Sequence, residues 1–122
     1  MKVLIAEDNE RLQKSVGLLM NLWGFDFDMA SNGREAVEKV IINKGNYDLC
    51  LMDIEMPVMD GCEAALTIRR EGKHFPIIAI SGCLHLDELY LDAGMDDYLE
   101  KPYEPEMLLS KIRELTGKTF NG

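Results

Sequence analysis

Long apolar runs are missing from this sequence: no stretch approaches the about 18–20 residues needed to cross a bilayer. A membrane-spanning role is therefore not expected. Basic residues are scarce, with 13 Lys and Arg against 22 Asp and Glu and a formal charge of −9. Such a chain repels nucleic-acid phosphates and anionic lipid, and it suits metal cations and basic partner surfaces. Cysteine is sparse and odd in number: Cys50, Cys62 and Cys83, with no Cys-x-x-Cys. That pattern favours neither a disulfide framework nor a zinc site, and reduced thiols in a cytoplasmic protein are expected. The two histidines, His74 and His85, have no metal-ligand companion at useful spacing and read as solvated. The eight methionines are scattered and read as gap-fillers. Repeats, low-complexity segments and linker-like stretches are also absent. The opening Met1-Lys2-Val3-Leu4-Ile5-Ala6 meets Glu7-Asp8-Asn9-Glu10 too early for a secretion signal.

What is present suits one domain. The 122 residues suffice for a single core and are too few for two. Val3-Leu4-Ile5-Ala6, Leu49-Cys50-Leu51-Met52 and Ile77-Ile78-Ala79-Ile80 are short and wholly apolar, as in strands buried on both faces. Phe25-Asp26-Phe27-Asp28-Met29 alternates apolar with acidic, which predicts an edge strand with one wet face. Asp97-Tyr98-Leu99 predicts a brief fifth strand.

Amphipathic segments separate these runs. The first predicts a helix with Leu12, Val16, Leu19, Met20 and Trp23 inward, stopped at Gly24. The second starts on an Asn32/Glu35 capping box, buries Ala36, Val37, Val40 and Ile41, and closes at Lys44-Gly45-Asn46. The third starts on Asp60/Glu63 and runs to about Gly72. A short fourth carries Leu86, Leu89, Tyr90 and Ala93, with weak start signals at Cys83-Leu84-His85. The fifth has Pro105 in its first turn and Leu108, Ile112 and Leu115 inward. Residues 116–122 read as a loose tail. Strand and helix alternating in this way imply a doubly wound, all-parallel α/β sheet. Right-handed crossovers, with strands two and five at the edges, give the order 2-1-3-4-5. Ligands of such sheets bind beyond the carboxyl ends of the strands, at the switch between strands one and three.

Those ends carry chemistry. Strand one ends in Glu7 and Asp8, strand three in Asp53, strand four in Ser81 and strand five in Lys101. Carboxylates gathered this closely repel unless a cation stands among them, and all-oxygen ligands suit Mg²⁺. Asp53 so placed is a nucleophile for a phosphoryl group, with Lys101 and the Ser81 hydroxyl available to the transferring oxygens. Each residue alone has a plainer reading: a solvated acid pair, a loop cap, a core ring at Tyr98, a surface lysine. Asp60, Asp96 and Asp97 read as capping or loop acids.

Ala6-Glu7-Asp8-Asn9, Leu51-Met52-Asp53-Ile54-Glu55-Met56-Pro57-Val58-Met59-Asp60-Gly61, Ala93-Gly94-Met95-Asp96-Asp97-Tyr98-Leu99 and Lys101-Pro102 resemble the receiver domain of two-component response regulators, a flavodoxin-like (βα)₅ fold. The resemblance covers essentially the whole chain. It implies that Asp53 is the phosphoacceptor, fed by a histidine kinase or a histidine phosphotransfer protein. It implies that Glu7 and Asp8 hold Mg²⁺ with Asp53 and the Glu55 backbone carbonyl. Ser81 and Tyr98 match the switch pair, and Lys101 matches the phosphate-pairing lysine, with a cis bond to Pro102. The implied output face is helix four, strand five and helix five, offered to a downstream protein by a monomer or a phosphorylation-linked dimer. Such a protein is no enzyme beyond its own phosphorylation and dephosphorylation. Two departures stand out: the segment from Ser81 to Gly94 is about two residues short for such domains, and Gly82 stands where Ala is common. Glu55 and Cys83 hold positions that face the phosphorylation site there.

Three other readings fit parts of the pattern. Hydrolases of the haloacid dehalogenase type also use a strand-end Asp with Mg²⁺, but they resemble D-x-D-x-T/V where this chain has Asp53-Ile54-Glu55-Met56-Pro57. A flavin carrier shares the sheet order, yet no Ser/Thr/Gly-rich phosphate loop follows strand one. A non-switching interaction module would keep the fold without needing Asp53, Lys101 and the acid pair.

Overall fold

The computed structural model describes residues 1–82 and 89–117. The strands are β1 (Lys2–Ala6), β2 (Asp26–Ala30), β3 (Leu49–Asp53), β4 (Ile77–Ser81) and β5 (Asp97–Glu100). The helices are α1 (Glu10–Trp23), α2 (Gly33–Ile42), α3 (Gly61–Arg70), α4 (Leu89–Asp92) and α5 (Pro105–Thr116). All strand pairs are parallel, in the order β2-β1-β3-β4-β5. β3 and β4 are buried along their whole length, whereas β2 and β5 keep partly wet residues, as edge strands do.

Alternation along the strands builds two cores. Leu4, Cys50, Met52, Ile77 and Ala79 face Val37, Val40, Ala64 and Ile68 of α2 and α3. Val3, Ile5, Leu49, Leu51, Ile78 and Ile80 face Val16, Met20, Leu108 and Ile112 of α1 and α5. Burial of the Cys50 thiol pushes its pKa up to about 12, and Cys62 is a half-buried free thiol. Cys83 and His85 lie outside the described residues.

Local signals start and stop the helices. The Asn9, Asn32 and Asp60 side chains accept bonds from the backbone N–H groups of Leu12, Glu35 and Glu63. The Glu35 carboxylate in turn accepts from the Ser31 N–H at 3.2 Å. Gly24 closes α1 at φ +77°. Arg69 of α3 donates to the carbonyls of Lys73, Phe75 and Gly94 and to the Asp96 carboxylate, which also accepts from the Ile77 N–H at 2.8 Å. Asp96 is thus a structural acceptor between α3 and β4, more than a loop acid.

The structure corrects several expectations. Ile41 is 51% exposed rather than buried, because Ala36, Val37 and Val40 already fill the stripe that α2 offers the sheet. Leu12 is 38% exposed, and Leu19, Trp23 and Leu115 only pack partly against the core. β2 starts at Asp26, with Phe25 buried ahead of it, and α3 ends at Arg70. Among the described residues α4 has four residues, so Leu86 of its expected stripe lies outside them. Helix continues to Thr116, and 118–122 of the expected tail lie outside the described residues.

Register positions the site. Ala6 is level with Met52, so Glu7 comes level with Asp53. Asp53 pairs with Ile80, which sets Ser81 one step further. Ser81 pairs with Glu100, which sets Lys101 a step beyond that. Bonds past the strand ends continue the ladder: Ile54 N–H to the Ile80 carbonyl at 2.9 Å, and Lys101 N–H to the Ser81 carbonyl at 2.8 Å. The three groups climb like a staircase from the centre of the sheet to its edge.

Candidate functional site at the carboxyl edge of the sheet

Asp53 and Glu7 are 3% and 6% exposed, unusual burial for carboxylates. Lys101 Nζ donates to Asp53 Oδ2 at 2.7 Å and reaches Glu7 Oε1 at 3.1 Å. The remaining oxygens are also held: Glu7 Oε2 accepts from the Asn9 N–H at 3.0 Å, and Asp53 Oδ1 from the Glu55 N–H at 3.1 Å. Burial raises the Glu7 pKa, and the nearby Asp53 charge adds to the rise against the lowering Asn9 and Lys101 bonds. For Lys101 burial works against the ammonium, but its bonds to Asp53 and Glu7 outweigh this and leave the pKa raised. The Lys101–Pro102 peptide is cis, as the resemblance implied.

Asp8 is exposed, and one carboxylate oxygen each from Glu7, Asp8 and Asp53 lie within 4.8 Å of one another. Three carboxylates offering oxygen alone fit a hard divalent cation such as Mg²⁺. One ammonium among three acids leaves negative charge for a cation to neutralise. Asn9, Glu55 and Gly82 complete the open cleft around them.

Ser81 is buried, and its Oγ donates to Glu55 Oε1 at 3.2 Å. Tyr98 is half-buried and is not brought to the acids: its backbone is level with Ala79, two residues short of Ser81. Its ring lies 5.1 Å from that of Tyr90, with Lys111 Nζ 6.0 Å from its centroid.

Sequence reasoning missed four supports. Asn9 both caps α1 and holds Glu7, a dual role that its helix-start position hints at. Gln13 Nε2 donates to the Glu7 carbonyl at 2.6 Å, with no sequence signal. Gly61 packs on the end of β3 so closely that a Cβ would lie 2.2 Å from the Asp53 carbonyl oxygen. Tyr103 stands behind Lys101; burial, and then the Glu7 charge, raises its phenol pKa.

A parallel sheet with an acid pair, an aspartate, a hydroxyl and a lysine at one edge is the arrangement of a phosphorelay receiver. The family model "Response regulator receiver domain" matches residues 3–113, and the chain belongs to that family. It is 41% identical over 120 residues to hybrid signal transduction histidine kinase I of Dictyostelium discoideum, covering 91% of this chain and 7% of the kinase. The chain spans about half the length, 52%, of the mycobacterial response regulators it matches. The receiver domain of sensor histidine kinase PA1611 from Pseudomonas aeruginosa, with magnesium coordinated in its active-site cleft, superposes with a TM-score of 0.86 at 31% identity, over 96% of this chain and 98% of that one. The Saccharomyces cerevisiae receiver domain of Ssk1, solved with the histidine phosphotransfer protein Ypd1, superposes with a TM-score of 0.85 at 31% identity, over 96% and 89%. Receivers of this family serve response regulators and hybrid kinases in phosphorelay. No helix among the described residues is long and apolar enough to cross a membrane.

Proposed function

We propose that Asp53 accepts a phosphoryl group from the phosphohistidine of a histidine kinase or histidine phosphotransfer protein, with Mg²⁺ held by Glu7, Asp8, Asp53 and the Glu55 backbone carbonyl. In the transfer an Asp53 carboxylate oxygen forms the new O–P bond, the N–P bond to the donor imidazole breaks, and that nitrogen keeps the electron pair. The observation carrying this reading is the buried Asp53 carboxylate, 2.7 Å from Lys101 and clustered with the Glu7 and Asp8 acids. A cation held there would lower the negative field that repels an incoming phosphoryl group, and Lys101 pairs with the oxygens of that group. The magnesium-bound PA1611 receiver and the Ypd1-bound Ssk1 receiver support the cation and the donor class.

Ser81 then serves as the switch hydroxyl, trading Glu55 for the phosphoryl oxygens, and Tyr98 follows on the neighbouring strand. The response emerges on α4, β5 and α5 for a downstream protein. The chain catalyses nothing beyond its own phosphorylation and dephosphorylation. Asp53→Asn should remain folded and take no label from acetyl phosphate with Mg²⁺; a mutant that still labels would disqualify Asp53. Sustained turnover of an added phosphomonoester would point instead to a hydrolase.

A further inference from the structure

Behind the acceptor, between α1 and the turn that enters α5, lies a cavity of about 450 Å³. Its lining is mostly apolar: exposed Leu12, Pro102 and Pro105 and half-buried Leu19 and Tyr103 surround it, over a buried floor that includes Ile5, Val16, Leu51 and Ile80. Glu7, Asp53 and Lys101 close its inner end. It differs from the open cleft that Asp8, Asn9 and Glu55 line on the solvent side of the same acids. A water molecule's share of liquid volume is about 30 Å³, and ligand sites run to about 300–1,000 Å³, so this space accepts a small ring system.

We propose that this cavity binds a compact, uncharged, largely apolar molecule carrying one hydrogen-bond donor, an aromatic N–H heterocycle being the simplest case. The apolar lining supplies the affinity, because removing such surface from water is favourable. The charge at the inner end selects the polar group. Two carboxylates against one ammonium repel an anion and favour a donor over an acceptor. The consequence for phosphorylation rests on the reading of Asp53 given above. An occupant donating to Glu7 or Asp53 uses lone pairs that the cation draws on, and it packs on the Lys101 stem. Binding of the ligand and of the phosphoryl group then oppose each other, and the opposition is reciprocal.

Indole tests this, with indole-3-acetate as its anionic counterpart. Titration of the ¹³C-methyl-labelled protein with indole should give saturable shifts at Ile5, Val16, Leu19, Leu51 and Ile80, with much weaker response to indole-3-acetate. Saturating indole should weaken Mg²⁺-dependent beryllofluoride binding at least threefold. Leu19→Trp, with its fold verified by circular dichroism, should lose the indole response. No saturable shifts, or shifts confined to the exposed Leu18, Leu22, Ile41 and Ile42, would overturn the site. Cavity binding that leaves the beryllofluoride affinity unchanged would overturn the coupling. Beryllofluoride binding measured without indole separates either failure from a failure of the acceptor reading.

Discussion

The ammonium of Lys101 stands 2.7 Å from Asp53 and 3.1 Å from Glu7, bridging two carboxylates from neighbouring strands. One cation thereby serves two nearly buried anions. Removing it leaves both acids facing each other with little solvent.

Lys101→Ala should therefore destabilise the protein by about 2–3 kcal/mol in the absence of metal. A fully buried pair broken in this way costs about 3–5 kcal/mol; the Lys101 side chain is 25% exposed, which reduces the loss. Millimolar Mg²⁺ should recover part of the loss by taking over the neutralisation. Urea denaturation with and without Mg²⁺ measures both effects, and equal loss in the two conditions would contradict the shared-charge account.

Glu7→Gln should show the opposite sign. The Glu7 pKa is raised in the folded state, chiefly by burial, so folding favours its protonated form. That contribution is present below the unfolded carboxylate value and is lost as pH rises through the raised folded value. At neutral pH the ionised side chain is a burden, which the neutral amide removes. Without metal the variant should be the more stable protein at about pH 7, and its advantage should fade below about pH 4. Wild type should gain more stability from Mg²⁺ than the variant does. Denaturation midpoints across this pH range decide the matter.

Glu55→Ala removes an acceptor of the Ser81 hydroxyl, 3.2 Å away, while keeping a backbone carbonyl at position 55. Such a bond is worth about 0.5–1.5 kcal/mol net, or about two- to twelvefold in an equilibrium. Beryllofluoride should bind the variant tighter by about that factor. Weaker binding would mean that Glu55 assists the phosphorylated state instead of restraining Ser81.

Gly61→Ala should disturb the carboxyl end of β3, and with it Asp53, without replacing any acid. Its Cβ would lie 2.2 Å from the Asp53 carbonyl oxygen and 2.9 Å from Ile54 Cα, both backbone atoms. Relief requires α3 or the end of β3 to move. A loss of about 2–3 kcal/mol is expected for such overpacking, together with weaker Mg²⁺ binding. Thermal melts and Mg²⁺ titration provide the readout, and an undisturbed Mg²⁺ affinity would show that the strand end tolerates the shift.

Much of this architecture was legible before any coordinates. Wholly apolar runs revealed the three central strands, β1, β3 and β4, and the Phe25–Met29 alternation placed β2 at an edge. Strand ends then carried Glu7, Asp53, Ser81 and Lys101 to one side, because a parallel sheet sends every carboxyl end the same way. Side-chain orientation was harder. Ile41 is as apolar as Val40, but Ala36, Val37 and Val40 already fill the face that α2 turns to the sheet, which leaves Ile41 exposed. Ser81 and Glu55 are 26 residues apart, so nothing in either segment announces their bond. Nothing in the sequence around Gly61 signals its close approach to the Asp53 backbone. Asp96 looked like a loop acid because its partner Arg69 comes from the far end of α3.

The staircase of strand ends has an evolutionary corollary. Side chains alternate faces along a strand, so deleting one residue within β3 would swing the carboxylate at its end through the sheet to the α2–α3 side. At the opposite rim no such parity applies: Lys44–Asn46 and Gly72–His74 join elements far from the acids and can lengthen or shorten between lineages. Divergence in this chain's relatives should therefore collect at the amino-terminal rim, leaving residue counts inside β3, β4 and β5 nearly immutable.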